Sequence, residues 1–150
     1  MRAMLTDLLR RLAAPDQTDR FPEPDARLAL AALLVRVARA DGHYAAAEVS
    51  RIDRILMRRH GLAAGAATAL REEAEALEAE APDTVRFTRA IKAGIPLEER
   101  VAVIEALWSV VLADGERDAE EDGLLRLLAN LLGISDQDSA LARRRVEGAA

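Results

Sequence analysis

The sequence predicts an all-α protein, a single helical bundle of about seven to eight helices. Apolar residues recur with a helical period, and no segment alternates polar and apolar residues long enough to form a strand. Hydrophobic residues make up 51% of the chain but aromatic residues only 3%. A core of Ala, Leu, Val and Ile suits closely packed helices, and 150 residues favour one compact domain spanning residues 1–150.

The N-terminal segment, residues 1–24, predicts one amphipathic helix followed by an irregular connection. Apolar residues at positions i, i+3, i+4 and i+7 form one face of this helix: Leu5, Leu8, Leu9 and Leu12. The stretch PDQTDRFPEP then contains three prolines, which are incompatible with a continuing helix. Any apolar surface left on the first helix is a candidate homodimer contact.

Two longer helices are expected next. Asp25 is a suitable N-cap for a helix that runs to about Ala40. This helix is apolar around most of its circumference, which indicates a central position in the bundle. A further helix is expected from about Ala46 to His60 and ends at Gly61. His60 lies in its last turn, where the helix dipole favours a charged imidazole.

The second half of the chain predicts five more helices. The stretch ATALREEAEALEAEA indicates a polar helix that ends before Pro82. Its run of glutamates predicts a solvent-exposed face. Asp83 is a candidate cap for the short helix after it, and Pro96 marks the start of a largely apolar helix. The next helix ends at Gly133, and Ser135 is the expected cap of the last one.

Two stretches repeat the same pattern, an Asp–Gly pair with a Glu seven positions after the Asp. They are RADGHYAAAE at residues 39–48 and LADGERDAEE at residues 112–121. Apolar positions on both sides of the two stretches also correspond. The pattern therefore predicts a helix–loop–helix unit used twice, at about residues 27–62 and 100–134, with internal pseudo-two-fold symmetry.

Ordinary helix ends explain part of this repeat. The glycines follow helices and suit a left-handed C-terminal position, and Glu48 and Glu121 fall in the first turn of the next helix, where the dipole favours them. Asp41 and Asp114 are not explained, because a negative charge in the last turn of a helix costs ~0.3–1 kcal/mol. A cation, an Arg side chain or the loop amides would each stabilise that negative charge.

The cation alternative predicts a weak site for Ca²⁺, Mg²⁺ or Zn²⁺ at the two loops, because carboxylates joined by a Gly turn can converge on one ion. The loops are not EF-hands, since the first and third ligand positions of such loops carry no side-chain oxygen here. The second loop is richer in carboxylates and is expected to bind better. The candidate metal ligands are Asp41, Glu48, Asp114, Asp118 and Glu121.

Composition excludes several function classes. A net charge of −5 argues against binding nucleic acid, and the absence of cysteine excludes thiolate zinc sites. With two histidines and no Gly-rich phosphate loop, no catalytic triad can be assembled, so we expect no enzymatic activity and no other cofactor. The longest apolar run, residues 28–35, is far short of the ~20 residues that span a bilayer. The N-terminus does not read as a secretory signal, so we expect a cytoplasmic protein.

Two stretches carry a resemblance to a known family. They are VARADGHYAAAEVSRIDRIL and RFTRAIKAGIPLEERVAVIEALWSVVLADGERDAEEDGLLRLLANLLGIS. Together they resemble the TerB-like family, named for tellurite resistance protein B, from about residue 27 to 145. The resemblance implies an all-helical pseudo-symmetric fold, a role in stress or metal resistance and scaffolding of protein partners. It also implies a divalent-cation site at the acidic loop positions, here Asp41, Glu48, Asp114 and Glu121.

We therefore expect a non-enzymatic, cytoplasmic TerB-like module that binds a divalent cation weakly and scaffolds a protein partner. The alternative is a purely structural protein–protein interaction domain with no metal site. In that case the hinge carboxylates simply accept hydrogen bonds from loop amides or arginines.

Overall fold

The computed structural model describes residues 25–80, 83–113 and 119–149, and all regular structure in these ranges is helical. It contains α1 (Ala26–Arg39), α2 (Ala46–His60), α3 (Ala64–Glu80), α4 (Thr84–Gly94), α5 (Leu97–Val111), α6 (Ala119–Leu131) and α7 (Asp136–Ala149). The prediction of an all-α bundle is confirmed. The predicted first helix at Leu5–Leu12 and the Pro-rich connection lie outside the described residues.

Three helices begin at the polar caps that the sequence predicts. In each case a short side chain before the helix accepts a hydrogen bond from a backbone N–H that has no partner within the helix. Leu28 N donates to Asp25 Oδ1 at 2.8 Å, Val85 N to Asp83 Oδ1 at 2.9 Å, and Asp138 N to Ser135 Oγ at 3.1 Å. Pro96 is the N-cap of α5, directly before the first helical residue Leu97, so it marks the helix start as predicted.

The two helix–loop–helix units end in the same way. Gly61 follows α2 with φ of 63°, and Gly133 follows α6 with φ of 80°. The left-handed turn lets the next residue bond back to the last helical turn. Leu62 N donates to Met57 O at 3.1 Å, and Ile134 N donates to Ala129 O at 2.8 Å. The same local device therefore closes both units.

Helix α1 lies at the centre of the bundle, as its apolar circumference predicts. Every residue from Ala29 to Val35 is buried, and α1 contacts all the helices from α2 to α6. Corresponding core positions of the two units, such as Leu34 and Leu107, are both fully buried. Among the described residues, no helix has the combination of length and apolarity needed to cross a membrane.

Helix α7 packs against α5 through Trp108. The indole is 6% exposed, and its Nε1 donates a hydrogen bond to Ser139 Oγ at 3.2 Å. The Arg143 guanidinium lies 5.6 Å from the ring centroid, within the range of a cation–π contact. Trp108 therefore belongs to the core, as predicted from its position on the apolar helix.

The acidic run of α3 is only partly a solvated face. Glu78 accepts hydrogen bonds from Arg36 at 3.2 Å and from Arg39 at 2.9 Å, which ties α3 to the C-terminal end of α1. Glu72 and Glu73 are exposed, as the sequence pattern predicts. Some of the glutamates in this helix therefore hold the bundle together.

Candidate functional site

The first acidic loop joins α1 to α2 through residues 40–45. Helix α1 ends at Arg39, and Gly42 takes a left-handed conformation with φ of 82°. Gly42 N donates to Arg39 O at 3.0 Å, which satisfies one of the last carbonyls of the helix. The glycine is needed here because residues with a Cβ rarely adopt this conformation. The turn sends the chain back toward α2.

Asp41 lies beyond the end of α1 and not in its last turn, where the sequence had placed it. Its Oδ1 accepts a hydrogen bond from His43 N at 2.8 Å, so the side chain closes a local turn across Gly42. The difference arises because helix ends are uncertain by one or two residues in sequence reasoning. A hydrogen bond from a loop amide therefore stabilises the Asp41 carboxylate.

Glu48 lies in the first turn of α2 and is fully buried. Its Oε1 accepts a hydrogen bond from Ala45 N at 3.0 Å, the backbone N–H of the N-cap residue. Ala45 has no side-chain acceptor, so only this half of a capping box forms. The bond fixes the start of α2 and holds the second carboxylate of the hinge in place.

The second acidic loop falls largely outside the described residues. Asp114 and Asp118 lie outside them, and so does the side chain of Glu121, although its backbone belongs to the first turn of α6. Within residues 25–80, 83–113 and 119–149, no three His, Asp or Glu side chains are grouped closely enough to hold a metal ion. The five candidate ligands therefore remain a prediction.

A polar cluster that the sequence did not indicate anchors the first loop to α3. Tyr44 Oη donates to Glu75 Oε2 at 2.6 Å, and Arg39 lies 4.9 Å from the Tyr44 ring centroid. Arg71 bridges Glu75 at 2.9 Å and Asp53 at 2.6 Å. Burial and the bond to Glu75 raise the pKa of Tyr44, so the phenol stays protonated as a donor. The loop is held from both sides.

The prediction that the helix dipole favours a charged imidazole at His60 is wrong. Burial lowers the pKa of His60, and the positive charges of Arg27 and Arg59 lower it further. The nearby Asp25 carboxylate acts in the opposite direction, but the net effect is a lowered pKa. The imidazole is therefore biased toward its neutral form.

A groove with a volume of about 940 Å³ runs between α2 and α7, with α5 as its floor. Five arginines line it, and we refer to it as the arginine groove: Arg51, Arg54, Arg58, Arg59 and Arg145. The sequence carried a signal for one wall, because the arginines of RIDRILMRR recur with helical spacing. Which helices face this wall is not visible from the sequence.

The class of this protein is defined by an all-α bundle with an Asp–Gly hinge and a first-turn Glu between α1 and α2. The same residues recur in the sequence between α5 and α6. The family model described as Tellurite resistance protein TerB matches residues 27–144. The chain therefore belongs to the TerB family, as its resemblance indicated. No curated protein and no solved structure matches it significantly.

Proposed function

We propose that the protein is a non-enzymatic TerB-family module that binds a divalent cation weakly at its second acidic loop and scaffolds a protein partner. The observation that carries this proposal is the geometry of the first loop. Asp41 and Glu48 stand at the two ends of a short hinge, each held by a backbone amide. Such a hinge keeps two carboxylates in fixed positions, which reduces the entropy lost when an ion binds.

The second loop carries more negative charge at the corresponding positions of the sequence. Asp114 and Glu121 occupy the equivalent positions, and Asp118 adds a carboxylate where the first loop has only alanines. Additional carboxylates raise the affinity of oxygen sites for Ca²⁺ and Mg²⁺. Because the loop offers few assured ligands, we expect a dissociation constant on the order of 10⁻⁴–10⁻³ M, typical of weak calcium modules.

Calorimetric titration with Ca²⁺, Mg²⁺, Mn²⁺ and Zn²⁺ tests the cation site. Trp108 lies six residues before Asp114 in the sequence, so its fluorescence gives a second readout. We expect a saturable response that disappears when Asp114→Asn is combined with Glu121→Gln. Glu72→Gln with Glu73→Gln removes the same charge from the exposed face of α3 and is the matched control.

The alternative is a protein–protein interaction domain with no metal site. It is favoured by the hydrogen bonds from His43 N to Asp41 and from Ala45 N to Glu48. With these bonds, backbone amides stabilise the two carboxylates of the first loop without a cation. If the second loop closes in the same way, millimolar cation produces no heat and no change in melting temperature. That result would reject the cation site and leave the scaffold.

Family membership supports an association with tellurite-resistance systems. A role in stress response, a cytoplasmic location and homodimer formation are parts of the same proposal. The homodimer is tested by sedimentation equilibrium of the full chain. A concentration-dependent mass that Leu8→Glu abolishes would place the contact on the predicted first helix, and a monomer at all concentrations would reject it.

A further inference from the structure

The arginine groove carries more positive charge than its surroundings neutralise. Its two glutamates already have partners. Glu105 pairs with Arg145 at 3.1 Å, and Glu147 pairs with Arg143 at 3.0 Å. The acidic side chains of the groove are thus engaged with α7 and form no ion pair with the arginines of α2.

The arginines of α2 form no ion pair with any carboxylate of the described residues. Arg54 and Arg58 are exposed, and Arg59 is half-buried. Arg51 donates through Nη1 to Ser109 Oγ at 2.9 Å, while its Nε has no hydrogen-bond acceptor in the described part of the chain. In a protein with a net charge of −5, a local concentration of unneutralised arginine is a candidate interaction surface.

The shape of the groove limits what can occupy it. Arg51, Arg54 and Arg58 lie on one face of α2, with Cα atoms displaced along the axis by about 4.5 Å and about 10.5 Å from the first. Apolar side chains, including Ile55 and Val146, line the groove between the charged residues. A helix lying in the groove would present carboxylates with the same rise to α2 and apolar residues to the floor.

We propose that the arginine groove binds an acidic amphipathic helix of a partner protein. This proposal rests on the scaffolding part of the proposed function, for which it names the chemistry of the partner. It does not depend on the cation site. A membrane surface fits less well, since a concave groove cannot lie flat on a bilayer. Nucleic acid fits less well, because the net negative charge repels a long polyanion.

The test uses the full chain and a fluorescein-labelled helical peptide of about 18 residues, with Glu along one face and Leu along the other. Fluorescence anisotropy is expected to show saturable binding. Replacing every Glu of the peptide with Lys should abolish it. Arg54→Glu with Arg58→Glu should weaken binding of the acidic peptide about tenfold or more, because two ion pairs become like-charge contacts.

The matched control is Lys92→Glu with Arg126→Glu. Both residues are exposed, neither lies on a helix that lines the groove, and the change in net charge is the same. We expect this variant to bind within about twofold of wild type, since distant surface charges are screened by salt. Circular dichroism checks that both variants fold. Equal weakening in the two variants, or no binding of the acidic peptide, would overturn the proposal.

Two further measurements test which kind of ligand binds in the groove and whether that binding depends on the cation site. A single-stranded oligonucleotide and phosphatidylglycerol vesicles are titrated in parallel; tighter binding of either through Arg54 and Arg58 would replace the acidic helix as the ligand. Peptide binding is expected to persist in chelator and in Asp114→Asn with Glu121→Gln. Loss of peptide binding in that variant would contradict the independence of the groove, whereas a silent cation titration with intact peptide binding rejects only the cation site.

Discussion

Glu48 is expected to stabilise the fold more than any surface glutamate of the described helices. In Glu48→Ala, the Ala45 N–H loses a charged acceptor, which is worth ~1.5–3 kcal/mol. The first turn of α2 also loses a favourable charge–dipole interaction of ~0.3–1 kcal/mol. Together these effects predict a loss of about 2–4 kcal/mol, or a melting temperature lower by about 4–16 °C for a domain of this size.

Glu99 provides a matched control for this prediction. It occupies the same position in the first turn of α5, but it is exposed, and the cap before it is Pro96, which has no N–H to donate. Glu99→Ala is therefore expected to cost no more than about 1 kcal/mol. Glu48→Gln keeps an acceptor for Ala45 N and should lie between the two. Chemical denaturation measures all three, and equal losses for Glu48→Ala and Glu99→Ala would refute the reasoning.

Three further perturbations follow from the structure. A Cβ at Gly94 would lie 2.7 Å from Ala26 Cβ, so Gly94→Ala should cost about 1–3 kcal/mol in thermal unfolding, and Ala26→Gly should restore it. Arg100 donates to the carbonyls of three residues at the ends of α4 and α6, so Arg100→Ala should lower stability by about 2–4 kcal/mol in urea, more than Arg100→Lys. The pKa of His60 is lowered in the folded protein, so the unfolded chain takes up a proton first as the pH falls below 6.5. The contribution of His60 to the free energy of unfolding is therefore fully present above pH 6.5 and is lost as the pH falls toward the folded pKa. In His60→Gln, the difference between the urea midpoints at about pH 7.5 and 5.5 should shrink.

Local signals made the fold largely predictable from the sequence. Asp25, Asp83 and Ser135 mark helix starts because their side chains bond to amides only two or three residues away. Helix α3 is the exception, since it begins at Ala64, three residues before the predicted start. Its first turn consists of Ala and Gly and carries no capping side chain that would announce the boundary.

The site was less predictable because it depends on contacts between distant residues. Tyr44 and Glu75 meet only after α3 folds back beside the first loop, so neither residue signals the bond in the sequence. The arginine groove likewise depends on α2 and α7 packing on two sides of α5. The spacing of the α2 arginines was visible, but an exposed charged face looks the same in a sequence whether or not another helix stands opposite it.

Nuclear magnetic resonance with Mn²⁺ tests the central claim most directly, because a bound paramagnetic ion broadens the amide signals of nearby residues. In ¹⁵N-labelled protein, substoichiometric Mn²⁺ is expected to remove the signals of residues 112–121 first, and those of residues 39–48 only at higher concentration. Excess Ca²⁺ should restore them. Uniform broadening over the acidic surface, or unchanged signals at the second loop, would contradict the account.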